Sequence, residues 1–258
     1  MNENAKMPFT AHLEELRKRL IICVAAVGVG FAICYGFSTQ LFAFLVQPLR
    51  DVLPKGDTLV YTSLPEMFFI YLKIGFLAGA LLASPIIFYQ LWSFIAPGLY
   101  PNEKKYAIPF VCSSCLLFIG GAVFGYAVVF PFGFKFFVSF NTDYVKALPA
   151  VSQYFSLSIK LLLAFGVIFE MPIVILFLSK IGLVNYKMLS RKRKYAILVI
   201  FVVAAILTPP DVITQFMMAV PMLVLYEASI FLAKWFGRKP LDEESDEKEK
   251  EDTAVQKV

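Results

Sequence analysis

Residues 20–49, 74–102 and 106–134 contain no Asp, Glu, Lys or Arg. Each stretch exceeds the roughly 20 apolar residues that carry an α-helix across the hydrocarbon core of a bilayer. The apolar residues come in runs rather than in alternation, which favours buried or lipid-facing helices. A composition that is 59% hydrophobic, with a mean hydropathy of +0.72, agrees, since a soluble domain lies nearer half apolar. The chain is therefore expected to be a polytopic membrane protein.

The net charge of +5 does not point to nucleic acid. The bases sit in short clusters at the ends of apolar runs, which is a signature of membrane topology. Cys112 and Cys115 form a CxxC inside an apolar run, with Cys23 and Cys34 in another. Small, soft helix-packing residues are the expected role. His12 is the single histidine, which argues against a zinc site or a His-based triad. Neither a metal nor a cofactor is expected. Glu14 and Glu15 ahead of a long apolar run also argue against a cleavable signal peptide.

Six spans are predicted, at about 20–37, 68–92, 107–130, 154–178, 195–207 and 213–235. Counting Lys and Arg sets their orientation. Fifteen lie in the N-terminal segment, the span 2–3 and span 4–5 loops and just after span 6, against six on the other side. Both termini are thus expected to be cytoplasmic. The outer loops, 38–66 and 131–152, hold Pro48, Pro54, Pro65, Pro131 and Pro149 and are expected to be ordered caps with short helices. The expected organisation is a cytoplasmic amphipathic segment (1–19), a transmembrane domain (20–236) and a charged, disordered tail (237–258). Spans 5 and 6 are expected to be short. Only 16 residues separate Lys194 from Asp211, about 24 Å of helix, less than the roughly 30 Å of hydrocarbon. Local thinning of the membrane is expected there. Pro85, Pro172 and Pro221 fall inside spans 2, 4 and 6 and should kink them into a concave bundle.

Several polar residues are not explained by composition. Glu170, in "FGVIFEMPIV", follows an uncharged run and lies inside span 4. A carboxylate there is costly unless it faces protein, water or a partner, so function is the default reading. Asp211, with Thr208 before it and Gln215 after it, suits either a helix N-cap or a partner contact. Glu227 could meet Lys234. Glu103, in "GLYPNEKKY", sits in a short loop stiffened by Pro97, Gly98 and Pro101. In "HLEELRKRL" the pairs Glu14–Lys18 and Glu15–Arg19 are spaced i,i+4 in the favourable order, and Thr10 could N-cap the helix. Glu15 and Glu103 fall on one side of the membrane. Two fixed carboxylates there could read two neighbouring arginines through guanidinium forks that lysine cannot reproduce.

Taken together, "HLEELRKRL", "SPIIFYQLWSFIAPGLYPNEKK", "AFGVIFEMPIV" and "LTPPDVITQ" resemble TatC, the multi-span core of the twin-arginine protein translocase, over about residues 8–236. The resemblance implies a receptor for twin-arginine signal peptides that assembles with TatA-like and TatB-like single-span partners. Folded proteins would then cross the bacterial inner membrane, driven by the proton-motive force. It implies that Glu15 and Glu103 bind the arginine pair, and that Arg17, Pro48, Pro85, Phe94 and Asp211 are positions on which the family relies. It also implies that Glu170 is a polar intramembrane position and that Thr208 and Gln215 belong to a partner-binding patch. One departure from many relatives is Pro101–Asn102 before the loop glutamate, where they carry a basic residue and a histidine.

A small-solute transporter or channel is the alternative. It would want an internal repeat and several mid-depth charges, whereas Glu170 is the one acid near a span centre. An intramembrane aspartyl protease would need two intramembrane aspartates, and Asp143 and Asp211 fall in outer loops.

Overall fold

A computed structural model of the chain describes residues 9–54, 57–95, 107–142, 144 and 147–237. Glu103 with its loop and the acidic run 242–252 lie outside the described residues. The described chain is α-helical: α1 Phe9–Tyr35, α2 Ser38–Arg50, α3 Glu66–Ile95, α4 Ala107–Phe124, a π turn Gly125–Val129, α5 Phe130–Val138, α6 Val151–Phe169, α7 Met171–Lys180, α8 Tyr186–Arg191, α9 Arg193–Leu207 and α10 Val212–Phe236. Extended pairing among the described residues is confined to one bridge, Val60 with Ala150.

Five stretches are long and apolar enough to cross a membrane: His12–Tyr35, Glu66–Ile95, Ile108–Val138, Val151–Lys180 and Val212–Phe236. The chain is an all-α, multi-pass membrane protein. The expected fifth span corresponds to α9, whose 15 residues rise only about 22 Å. The expected sixth span is not short, because α10 has 25 residues. It continues beyond its contact with the start of α9 and ends beside α7, where a Cβ on Gly237 would collide with Ser179.

Three further boundaries differ from the sequence reading. Helix α1 is described from Phe9 onward, so Thr10 lies within it rather than ahead of it. The third span runs on to Val138 through the π turn, a one-turn widening that leaves no trace in apolar periodicity. The fourth span breaks at Glu170. Pro172 falls in the first turn of α7, where its missing N–H costs nothing.

The described residues form two compact units, one ending at Val167 and one starting at Ile168. In the first, α1 and α3 run antiparallel and touch through glycine. A Cβ on Gly30 would lie 2.6 Å from the Gly79 carbonyl oxygen, and one on Gly79 would lie 2.7 Å from the Gly30 carbonyl carbon. Ile70, Ile74, Phe155 and Phe165 are among its buried residues. The segment 38–66 contains a short helix, as expected, and Pro48 lies within it. Proline leaves the carbonyl four residues back without its helical donor. The Phe44 carbonyl accepts instead from the Tyr126 hydroxyl at 2.7 Å, and the neighbouring Leu45 carbonyl accepts from the buried Tyr154 hydroxyl at 2.6 Å. In α3 the carbonyl opposite Pro85 belongs to Leu81 and accepts from the Ser84 hydroxyl at 2.7 Å. At both prolines a side-chain hydroxyl thus satisfies the carbonyl left free. Tyr154→Phe should lower stability by about 1 kcal/mol, because it removes one buried hydrogen bond while the Leu45 carbonyl keeps its helical donor; denaturant unfolding in detergent micelles measures it.

Glu66, absent from the sequence-derived candidates, ties the segment before α3 to the start of α6. Its Oε2 accepts from the backbone N–H groups of Thr62 (2.8 Å) and Ser63 (3.2 Å), and its Oε1 from that of Ser152 (2.8 Å). The bridge between Val60 and Ala150 lies alongside, through Val60 N–H to the Pro149 carbonyl and Val151 N–H to the Val60 carbonyl.

In the second unit α10 packs on α7, α8 and α9 around Met218, Ala219 and Ala204. Glu227 pairs with Arg193 at 2.8 Å, so its partner is not Lys234. The adjacent Tyr226 hydroxyl donates to the Leu189 carbonyl. All four cysteines are free thiols. Cys112 is exposed, so it is not packed within the fold as the sequence suggested.

Candidate functional site

The antiparallel pairing of α1 and α3 brings the first turns of α1 beside the last turns of α3. On α1, Glu14 and Glu15 both make the expected i,i+4 pairs, but in different surroundings. Glu14 meets Lys18 at 2.9 Å with both side chains well exposed, an arrangement that contributes little. Glu15 and Arg19 are largely covered, at 23% and 20% exposure. Burial thus separates two acids that spacing leaves equivalent.

The contacts of Glu15 are asymmetric. Arg19 donates from Nε at 3.0 Å and from Nη2 at 2.6 Å, both to Oε1. Glu15 Oε2 is buried and has no hydrogen-bond partner among the described residues. Arg19 Nη1 donates to Gln90 Oε1 of α3 at 3.0 Å. One turn toward the N-terminus, the His12 ring stacks on Phe94, with centroids 4.4 Å apart and planes 16° apart. Behind them the buried Trp92 indole donates to Ser114 of α4 at 3.1 Å and stacks on Phe110. These contacts fix the end of α3 against α4. The result is a guanidinium-binding carboxylate flanked by an aromatic pair on a braced helix end.

Of the residues expected to bind signal peptide, the structure brings Glu15 and Phe94 to this site. It leaves Arg17 exposed on the same helix turn, and Glu103 lies outside the described residues. Gln90 and Trp92 escaped the sequence reading, because their partners are far away in the chain and no spacing rule links them. Arg19 was legible as a helix pair and as one of the bases that orient span 1, not as a contact to α3.

The second candidate group surrounds the α9–α10 turn. Asp211 caps α10, accepting from the Thr214 N–H at 2.7 Å and from the Thr214 hydroxyl. Thr208 donates to the Ala204 carbonyl at 2.9 Å, and Gln215 donates across the hairpin to the Phe201 carbonyl at 3.0 Å. These three residues fasten the turn. Glu170 is half-buried at the break between α6 and α7, and its carbonyl accepts from Val174 N–H at 3.0 Å.

Residues 11–221 match the family described as Sec-independent protein translocase protein (TatC). The chain is 47% identical over 255 residues to the Sec-independent protein translocase protein TatC of Desulforapulum autotrophicum, covering 99% of this chain and 94% of that one. The chain belongs to the TatC family. The TatC of Magnetococcus marinus is likewise 47% identical, over 94% of this chain and 89% of its own. A crystal structure of the twin arginine translocase receptor TatC in DDM superposes with a TM-score of 0.80 at 43% identity, covering 86% of this chain and 99% of that one. Membership makes this TatC-family chain a protein-translocase component and sets aside the small-solute transporter reading.

Proposed function

We propose that this TatC-family chain is the receptor core of a twin-arginine translocation system and reads the arginine pair of a signal peptide at the Glu15 end of α1. The observation that carries this reading is the Glu15 carboxylate. It is largely covered, it holds a guanidinium, and it has one oxygen to spare. Glu103 supplies the second carboxylate, Phe94 offers a ring for an apolar or cationic side chain, and Arg17 contributes from the same turn of α1 as Glu15. Both termini face the cytoplasm of a bacterial inner membrane. TatA-like and TatB-like single-span partners join the complex, and folded cargo crosses at the expense of the proton-motive force. Glu170 and the Thr208–Asp211–Gln215 turn serve partner binding and translocation. Their hydrogen bonds support a preformed turn as the surface on which a partner helix docks. The short α9 favours a thinned membrane beside it. Self-association draws support from α1, whose apolar window is 6% buried against 22–39% in the other spans.

Glu15→Gln is the direct test. In cells lacking their own system, the variant should accumulate in the membrane like wild type yet export a folded twin-arginine reporter at no more than about a hundredth of the rate, as expected for loss of a charged pair worth about 3 kcal/mol. Export at the wild-type rate would remove Glu15 from the recognition site.

A further inference from the structure

We propose that Arg19 is the chain's own occupant of the Glu15 seat, and that a signal-peptide arginine binds by displacing it. This rests on Glu15 being part of the receptor site.

A guanidinium and a carboxylate pair best as a fork, with two parallel hydrogen bonds to two oxygens. Arg19 does not make that fork. Its Nε and Nη2 converge on Oε1 alone, at 3.0 and 2.6 Å, while Nη1 is held by Gln90 at 3.0 Å. Oε2 remains buried with no hydrogen-bond partner among the described residues. An i,i+4 neighbour on the same helix is restricted to the directions its own backbone allows, and Gln90 restricts Arg19 further. A guanidinium arriving from outside the helix is under neither restriction. It can use both oxygens, and it satisfies an acceptor that the resting pair leaves orphaned. Exchange thus replaces an incomplete charge-assisted pair by a complete one.

The same geometry bears on selectivity. While Arg19 holds Oε1, the oxygen left without a partner among the described residues is the buried Oε2, so an incoming cation gains at most one end-on bond, and only after uncovering it. A single end-on bond suits an ammonium as well as a guanidinium, so the capped seat has no means of preferring arginine. Once Arg19 leaves, both oxygens are open and the fork discriminates. Preference for arginine over lysine is therefore coupled to departure of the cap. The cap also covers the carboxylate when no cargo is bound, in a part of the protein where a bare half-buried charge is costly.

The test uses the full chain in nanodiscs and two labelled synthetic signal peptides, one with the arginine pair and one with a lysine pair. Arg19→Gln should tighten binding of the arginine peptide roughly tenfold, as when about a tenth of seats are open at rest. It should tighten the lysine peptide less, so the ratio between them widens. Lys18→Gln removes the same charge from an exposed position one residue away and should move both peptides alike, by at most about twofold. Arg19→Lys keeps the charge that orients α1 and replaces the planar donor with a point charge. It should also tighten arginine-peptide binding, and it decides the matter if Arg19→Gln does not give a monodisperse protein. Unchanged or weakened arginine-peptide binding in the deciding Arg19 variant, with Glu15→Gln still erasing the arginine preference, would overturn the cap and leave the receptor site standing. A preference that survives Glu15→Gln would overturn both.

Discussion

Gly79→Leu is expected to prevent α1 from seating on α3 and to leave the chain aggregated or degraded. Gly30 and Gly79 bring the two backbones together, and the atoms a Cβ on Gly79 would meet are the main-chain atoms of Gly30 and Phe31. Overpacking in a core commonly costs about 1–3 kcal/mol, because neighbouring side chains can shift. No side chain can yield here, so the helices themselves must separate. Separation would also pull Arg19 from Gln90 and His12 from Phe94, so the candidate site would be lost with the packing. Gly28→Leu is the matched control, because a Cβ at Gly28 meets nothing within 4 Å. Size-exclusion profile and thermal unfolding in detergent should show Gly28→Leu close to wild type and Gly79→Leu without a cooperative transition. A monodisperse Gly79→Leu protein with a wild-type melting curve would contradict the close approach.

The second large effect is expected at the opposite end of the same unit. Glu66 is 8% exposed and accepts backbone hydrogen bonds from two loops that are far apart in sequence. Glu66→Ala leaves three N–H groups without their acceptor, and an unmet buried donor costs more than the bond itself contributes. The two segments should then come apart at the bridge between Val60 and Ala150. Glu66→Gln should be less damaging, since its amide oxygen can serve one loop but its NH2 would face a donor. Limited proteolysis between residues 51 and 65, followed with the melting temperature, reads both changes. Equal protease resistance in wild type and Glu66→Ala would show that the loops are held by other contacts.

Much of the architecture was legible because hydrophobic thickness sets helix length. The uncharged runs identify the membrane-crossing helices, and the acids at 14 and 15 sit four residues before bases, as their pairs require. The features that escaped depend on contacts distant in sequence. Gln90 lies 71 residues from Arg19, and the glycines that join α1 to α3 look like any other small residues of a span. Glu66 did leave a local sign, since Ser63-Leu64-Pro65-Glu66 has the order of a capping box. Its reach to Ser152 has none. The π turn was missed because apolar character continues through it, and periodicity does not record where a helix widens. The bounds of the sixth span, 213–235, were legible to within a residue of α10, and only its description as short failed. Pro85 was legible as a helix-interior proline, and Pro48 only as a loop proline. The tyrosine and serine hydroxyls that satisfy the carbonyls those prolines leave free were not.

The Glu15 seat is tested most directly by photo-crosslinking. A photoreactive residue at Leu16, exposed beside the seat, would be exposed in membranes to a twin-arginine signal peptide and to its twin-lysine counterpart, with Glu15 intact and with Glu15→Gln. Strong labelling of the arginine peptide alone, lost in Glu15→Gln, is the expected result. Equal labelling of the two peptides, or labelling of the arginine peptide that survives Glu15→Gln, would contradict it.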